Sequence, residues 1–418
     1  MDIMSARVVL VDIGQEGSPV SEIVTRTWQE QAGGVPVQHQ GVYSAFIPDT
    51  IANWSPHLDA DTERAMADAA IALMRYQIGG SQAFAPEWIV NHAEGLASST
   101  MEGVHSPLWR VAQAEALPDP ASPTAEDDLQ SAANVDITSA AVDMGLSGAD
   151  LSVDDLCELN GTLMAASAKA AQFGRLRKEQ NWIGGMTPVR AVYVPPPPES
   201  VPWLMEDLVW FCNNSEMAPV FAAALAHWQF ETVHPFADGN GRTGRALIHY
   251  VLARRGMVGK PTVPISAILV QDKARYISSL DTARHLGPPN SPERLDGIAR
   301  WAKHFAESLV HACDYGERLK AATSAVRQSW SQALPNPTPA QTRLMEMLGS
   351  TPVINAKIAA NGIGADEQTA RRAIARLVEA GILEQRGDAR RNRIFQAPAV
   401  LQCVDMAVSQ VFETETAP

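Results

Sequence analysis

Two apolar helical faces bracket a polar loop that neither of them can absorb. Phe221, Leu225 and Trp228 recur at helical spacing up to Val233, and Leu247, Ile248, Val251 and Leu252 do the same until Gly256. Between them runs HPFADGNGRTGR, residues 234–245, with three glycines, two arginines, one carboxylate and one histidine. The spacing predicts a helix, a tight loop and a second helix whose N-terminus carries the loop. Such a loop can cradle a phosphate, hold a metal, or simply make a polar turn.

The residue types favour the first use. Gly239 and Gly241 tolerate dihedrals that turn successive backbone amides, with that of Asn240, toward one point. The N-terminus of the following helix attracts an anion through its unpaired donors and its dipole. Arg242 and Arg245, three apart on that helix, are expected to face one phosphate chain. Asp238 can hold a Mg²⁺ shared with phosphate oxygens. His234 is the one group in the loop that accepts a proton near neutral pH without a large shift. Phe236 is expected to pin the loop to the core. Cradle, metal ligand, charge clamp and base together suit phosphoryl or nucleotidyl transfer.

The rest of the chain is compatible with an intracellular enzyme. Its 418 residues carry a net charge of −14, which argues against a chain-wide nucleic-acid or anionic-membrane surface. Cys157, Cys212, Cys313 and Cys403 make no CxxC pair, so reduced thiols are expected rather than a zinc cluster or a disulfide framework. The start, MDIMSARVVLVDIGQEG, lacks a signal-peptide pattern, and no apolar run approaches membrane-helix length. The expectation is a cytoplasmic protein.

A helix is expected from Asp61 as N-cap, and a surface loop over 117–136, with helical pattern resuming near 152. Val189–Val194 alternates and ends in four prolines, which predicts an extended or hairpin element. Residues 260–325 read as mainly helical. The tail predicts a helix, a helix–turn–helix with Asp366 as cap and Gly381 as stop, and a two-stranded wing. From 338 to 398 nine Lys/Arg stand against six Asp/Glu, a net of +3, so the remainder carries −17. That contrast supports a separate module.

HPFADGNGRTGR is similar to the Fic-family signature HxFx(D/E)GNGRxxR at all eight defined positions. QNWIGG, the VPPPP run and VPWLMEDL resemble the family's flap and the helix after it, and YSAFIP near residue 43 resembles the N-terminal region of larger bacterial members. The resemblance spans roughly residues 40–400. It implies a mainly α protein: a Fic-type helical core with a short β-hairpin flap, plus a C-terminal winged helix-turn-helix. The implied units are 1–115, an N-terminal helical region; 116–325, the core; 338–398, the winged helix; and 399–418, a tail. The implied reaction is AMP transfer from ATP to a Ser, Thr or Tyr hydroxyl of a target protein. His234 would deprotonate the hydroxyl and Asp238 would hold Mg²⁺. The amides of Gly239, Asn240 and Gly241 would stabilise phosphate charge, with Arg242 and Arg245 on the β- and γ-phosphates. One branch of the family carries lysine at the position of Gly241 and acts as a kinase; glycine here points to nucleotidyl transfer. Tyr276 and Trp301 fall where the family often builds an adenine pocket, and core packing accounts for them equally well. A homodimer is a further family expectation.

A second stretch, SSTMEGVHSP at 98–107, resembles the family's inhibitory motif (S/T)xxxE(G/N) through Ser98, Glu102 and Gly103. A glutamate brought to Arg245 takes the clamp meant for the γ-phosphate. Ser98, four residues earlier on the same helix face, is expected to hold that carboxylate. Glu102 also fits a role in positioning water for AMP removal. Read alone, S-x-x-x-E-G describes a capped helix end. The Val189–Val194 run fits strand addition to a target segment, and Tyr193 lies where self-modification can occur. Gln368, Arg371, Arg372 and the basic RGDARRNR wing fit DNA, which gives the rival reading of a DNA-binding regulator that carries a Fic core.

Overall fold

Helices dominate because apolar side chains recur every three or four positions over most of the chain. The computed structural model describes residues 21–29, 40–79, 84–117, 126–387 and 392–404. An antiparallel hairpin, β1 (Glu22–Gln29) and β2 (Gln40–Ile47), opens it, with Thr25 opposite Ser44. Then follow α1 (Ala60–Gly79), α2 (Pro86–Met101), α3 (Leu108–Ala116), α4 (Glu126–Ser147) and α5 (Val153–Leu163). After a long irregular stretch come α6 (Val201–Asn214), α7 (Pro219–Val233), α8 (Asn240–Arg254), α9 (Ser266–Leu269), α10 (Lys273–Thr282) and α11 (Pro292–Ala333). The chain continues with α12 (Pro339–Leu348), β3 (Val353–Ile354), α13 (Ala356–Ile363), α14 (Glu367–Glu379), β4 (Glu384–Arg386) and β5 (Ile394–Gln396). The last three strands form one sheet in the order β3-β5-β4.

α7 and α8 are the centre. Every residue of α7 from Val220 to Val233 is buried, and α8 is buried almost throughout from Asn240 to Ala253. A helix apolar all round needs neighbours on all sides, and α6, α11 and α4 supply them with Phe211, Trp301, Phe305 and Val142. α4 comes close enough to α8 that a Cβ on Gly145 would stand 2.6 Å from the Tyr250 carbonyl oxygen. A second apolar cluster joins Ile89, Val90 and Val111 of α2 and α3 to Leu344, Ile354, Ile374, Leu377 and Phe395 of the C-terminal elements. The C-terminal elements thus share a core with α2 and α3. Across that contact the Arg386 guanidinium lies 3.5 Å from the centre of the Trp109 ring.

Several expectations change. α1 starts at Ala60, and Asp59, not Asp61, caps it by accepting from the Thr62 amide. The region 117–136 is helical from Glu126. Its polar residues misled because they are buried against polar partners: Asp128 pairs with Arg110 at 3.0 Å, and Asn134 donates to the Gly95 carbonyl. Val189–Val194 is not a strand. Pro188–Arg190 makes a 3-10 turn, and a single bridge joins Ile183 to Tyr193. The hairpin lies upstream, and the Val194 carbonyl accepts from the Phe46 amide of β2. α11 runs through the expected boundary at 325. Residues 400, 401, 403 and 404, expected in a tail, are buried in the second cluster. Asp366 caps α14 through the Thr369 amide, and Gly381 follows it with φ +71°. Two short strands, β4 and β5, stand where two were expected, and residues 388–391 between them lie outside the described residues. All four cysteines are free thiols.

Candidate functional site

The loop between α7 and α8 is tied down by side chains around it. His234 caps α7 in the left-handed region, with φ 49°. Its carbonyl accepts from Arg177 Nε at 2.9 Å and Asn181 Nδ2 at 3.1 Å. Asn240 bonds both ways to the backbone of Phe236, accepting from its amide at 2.8 Å and donating to its carbonyl at 2.9 Å. The Phe236 ring is fully buried, as the sequence suggested. Asn160 of α5 donates to the Asp238 carbonyl at 2.9 Å. Arg177, Asn181 and Asn160 were not picked out from sequence, because lone polar residues far from the loop carry no spacing signal.

The expected phosphate groups are divided among several tasks. The Gly239 amide donates to Asp238 Oδ1 at 2.6 Å, while Asn240 and Gly241 begin α8, where first-turn amides lack intrahelical acceptors. Arg242 and Arg245 are both buried but bond to different helices. Arg242 Nη1 donates to Gln130 of α4 at 2.8 Å. Arg245 donates from Nε to Ser98 Oγ at 2.9 Å and from Nη2 to the Ser98 carbonyl and Glu102 Oε1, both at 2.8 Å. So Ser98 holds the arginine, not the Glu102 carboxylate. Asn134 takes up the neighbouring Ser99 hydroxyl.

Glu102 sits at the C-cap of α2 with its carboxylate directly over Gly241. A Cβ at Gly241 would come within 2.0 Å of Glu102 Oε1, so only glycine admits this approach. Burial alone would raise the Glu102 carboxyl. Arg245, with help from Arg242 and Lys273, outweighs burial and holds it below its usual range. Burial would likewise lower Arg245, and Glu102 foremost more than reverses that. The pair belongs to a longer ladder across α2 and α8. One turn further in, Glu94 Oε1 lies 2.9 Å from His249 Nε2, with both side chains fully buried. Thr262 bonds His249 Nδ1 at 2.8 Å, and the Ser266 amide donates to Glu94 Oε2 at 2.7 Å.

Burial, then the Arg177 charge, lowers the His234 imidazole to about 4, which leaves it neutral at pH 7. Its Nδ1 has no side-chain hydrogen-bond partner and stands 3.9 Å from Glu231 Oε2. Asp238 is exposed, and among the described residues no group of three or more His, Cys, Asp or Glu is placed to hold a metal. One carboxylate at a helix N-terminus still fits Mg²⁺, which keeps several waters and completes its shell with phosphate oxygens.

Tyr276 is only 4% exposed; it stacks on His227 and donates its hydroxyl to His227 Nε2 at 2.8 Å. Trp301 is fully buried against the same ring. Of the two readings open for this pair, the structure places both in the core. The Tyr193 hydroxyl donates to the Thr232 carbonyl at 2.8 Å under the Arg284 guanidinium, so it is engaged rather than offered for modification. Among the described residues no helix is long and apolar enough to cross a membrane.

Residues 150–252 match the model of the Fic/DOC family, which supports a Fic/DOC family domain over that segment. The chain is 34% identical over 202 residues to protein adenylyltransferase fic-1 of Caenorhabditis elegans, covering 48% of this chain and 35% of that protein. It is 35% identical over 145 residues to the probable protein adenylyltransferase aq_aa38 of Aquifex aeolicus, covering 34% and 42%. The chain thus spans less than half the length of these relatives. Among solved structures, a Fic family protein from Desulfovibrio desulfuricans G20 superposes with a TM-score of 0.49 at 18% identity, covering 82% of this chain and 98% of that one. A fragment of Fic-1 from C. elegans gives 0.47 at 18%, covering 62% and 72%.

Proposed function

We propose that this protein transfers AMP from ATP to a hydroxyl of a target protein, and that Glu102 restrains it. The observation that carries the reading is a neutral, buried-edge histidine, His234, beside a helix N-terminus whose Arg245 is fully buried. His234 takes the proton of a Ser, Thr or Tyr hydroxyl. The oxygen then attacks the α-phosphorus as the bond to pyrophosphate breaks. The amides of Asn240 and Gly241 and the guanidinium of Arg245 stabilise the phosphate charge, with Arg242 held alongside. Mg²⁺, held by Asp238, would neutralise phosphate charge when bound. With Glu102 on Arg245 and over Gly241, the clamp is filled by a carboxylate of the protein itself. The same carboxylate also fits a role in positioning water for AMP removal. Incubation of wild type and Glu102→Gly with ATP and Mg²⁺, followed by mass spectrometry of the protein and of an added lysate, tests the assignment. AMP adducts that depend on His234 are expected, and their absence in Glu102→Gly overturns it.

The unit boundaries follow the same reading: an N-terminal region carrying the Glu102 helix, a Fic core, and a C-terminal winged helix with α14 as its recognition helix. One observation favours a DNA-binding role for that last unit, the exposure of Gln368, Arg371 and Arg372 on α14. Arg371 is partly spent on Glu367, at 2.8 Å. A salt-dependent mobility shift of the full chain tests this role.

A further inference from the structure

The His234 ring has two nitrogens, and base catalysis uses one. The other, Nδ1, is buried without a side-chain hydrogen-bond partner, and the Glu231 backbone lies against the ring. Buried polar atoms are rarely left this way, and one beside a reacting centre calls for a role. The acidic group facing it is Glu231, one turn back on α7, with Oε2 at 3.9 Å. Glu231 is itself buried, and its Oε1 is also unpartnered. An orphaned ring nitrogen thus faces the carboxyl oxygen Oε2 just beyond bonding distance, on a side chain whose other oxygen, Oε1, is orphaned as well. The space around Glu231 is kept for it. A Cβ on Gly244 would stand 2.5 Å from Glu231 Oε1, so the glycine at this turn of α8 leaves room for the carboxyl.

We propose that Glu231 is the positioning residue of His234: its carboxylate closes onto Nδ1–H as the imidazole takes the target's proton, fixing the tautomer and holding the imidazolium. This rests on the assignment of His234 as base. The target hydroxyl loses its proton to His234 Nε2. Its oxygen forms the bond to the α-phosphorus, and the bond from that phosphorus to the bridging oxygen of pyrophosphate breaks, with the electron pair leaving on pyrophosphate. The proton on Nδ1 stays there, shared in a hydrogen bond with Glu231. A base oriented from behind by a carboxylate is a general solution for imidazole catalysis. Near neutrality both the charged and the neutral form of the carboxyl are populated, and the charged form is the one that closes onto Nδ1–H. Burial pushes it up to about 7, opposed by Arg245 on α8 and Arg284 after α10 and reinforced by Glu102 at the end of α2. Tyr276 of α10 also faces it.

The test uses the full chain in the Glu102→Gly background, with ATP and Mg²⁺. Glu231→Gln keeps shape and removes charge. It is expected to lower kcat for AMP transfer by about tenfold or more, leave KM for ATP unchanged, and flatten the acid limb of the pH profile near neutrality. Glu231→Asp, which keeps the charge on a shorter stem, is expected to lose less and to retain that limb. An unchanged kcat and pH profile in Glu231→Gln, or a loss that appears only in KM, overturns the proposal. If Glu231→Gln does not fold, Glu231→Ala is expected to lose kcat and the acid limb in the same way, and an unchanged kcat and pH profile in it overturns the proposal instead. His234→Ala in the same background separates the two levels: labelling that survives it refutes the base assignment itself, whatever Glu231 does.

Discussion

Arg245 Nη2 of α8 and Glu102 Oε1 at the end of α2 lie 2.8 Å apart, with the arginine fully buried and the glutamate 36% exposed. The same carboxylate oxygen covers Gly241. Removing it frees a charge clamp and a helix N-terminus together. A charge-assisted hydrogen bond contributes about 1.5–3 kcal/mol, and solvent at Glu102 places the gain at the low end, about tenfold. Glu102→Gly is therefore expected to raise auto-labelling by labelled ATP about tenfold. Labelling no greater than wild type would sink the restraint.

The Glu94–His249 contact sets where α2 sits on α8, since Glu94, Ser98 and Glu102 share one helix face and meet His249, Arg245 and Gly241 in turn. A buried polar network of this kind specifies register more than it stabilises. Glu94→Gln should loosen the grip of Glu102 and raise labelling a few-fold, roughly 1 kcal/mol of lost positioning. In a Glu102→Gly background it should do nothing further. A double-mutant cycle on initial labelling rates checks this, and additive effects would refute it.

Because the His234 imidazole is lowered to about 4 by burial and by Arg177, the folded protein leaves it neutral over a range where the unfolded chain protonates it. Between the ordinary histidine value and about 4 the unfolded state binds the extra proton, so this residue's contribution to stability falls as pH falls. His234→Gln is expected to lose less melting temperature than wild type on going from about pH 7 to about pH 5. NMR titration of the ring checks the same point directly, and a midpoint above about 6 would contradict it.

Phe236 is the apolar peg of the loop, fully buried against Phe230, with ring centres 6.1 Å apart. Phe236→Ala leaves a cavity beneath the site and should cost about 3–5 kcal/mol in urea unfolding. It should also lower ATP binding, because Asn240 holds the loop through the Phe236 backbone. A loss under about 1 kcal/mol would show that the loop is held by its polar ties alone.

Much of the site could be read from residue order, because its parts are local. His234, Asp238, Gly239, Asn240, Gly241, Arg242 and Arg245 fall within one loop and one helix turn, where spacing alone fixes who can meet whom. The helices α7, α8 and α14, the Asp366 cap and the Gly381 stop were legible for the same reason. What the order of residues left undetermined depends on contacts between distant segments. The polar face of α4 carries no apolar period, so its start was hidden until Arg110 and the Gly95 carbonyl met it. The alternation at 189–194 is not a strand: Pro188–Arg190 makes a 3-10 turn, and the segment's backbone partners, Ile183 and Phe46, lie in other parts of the chain. Ser98 was expected to hold Glu102 and instead holds Arg245, and Arg242 turned to Gln130. The sequence by itself determined the chemical inventory of the loop, since that is set by neighbours along the chain. Only the tertiary structure decided which helix each arginine answers to, and that the Glu102 carboxylate lies over Gly241, since those depend on how α2, α4 and α8 pack.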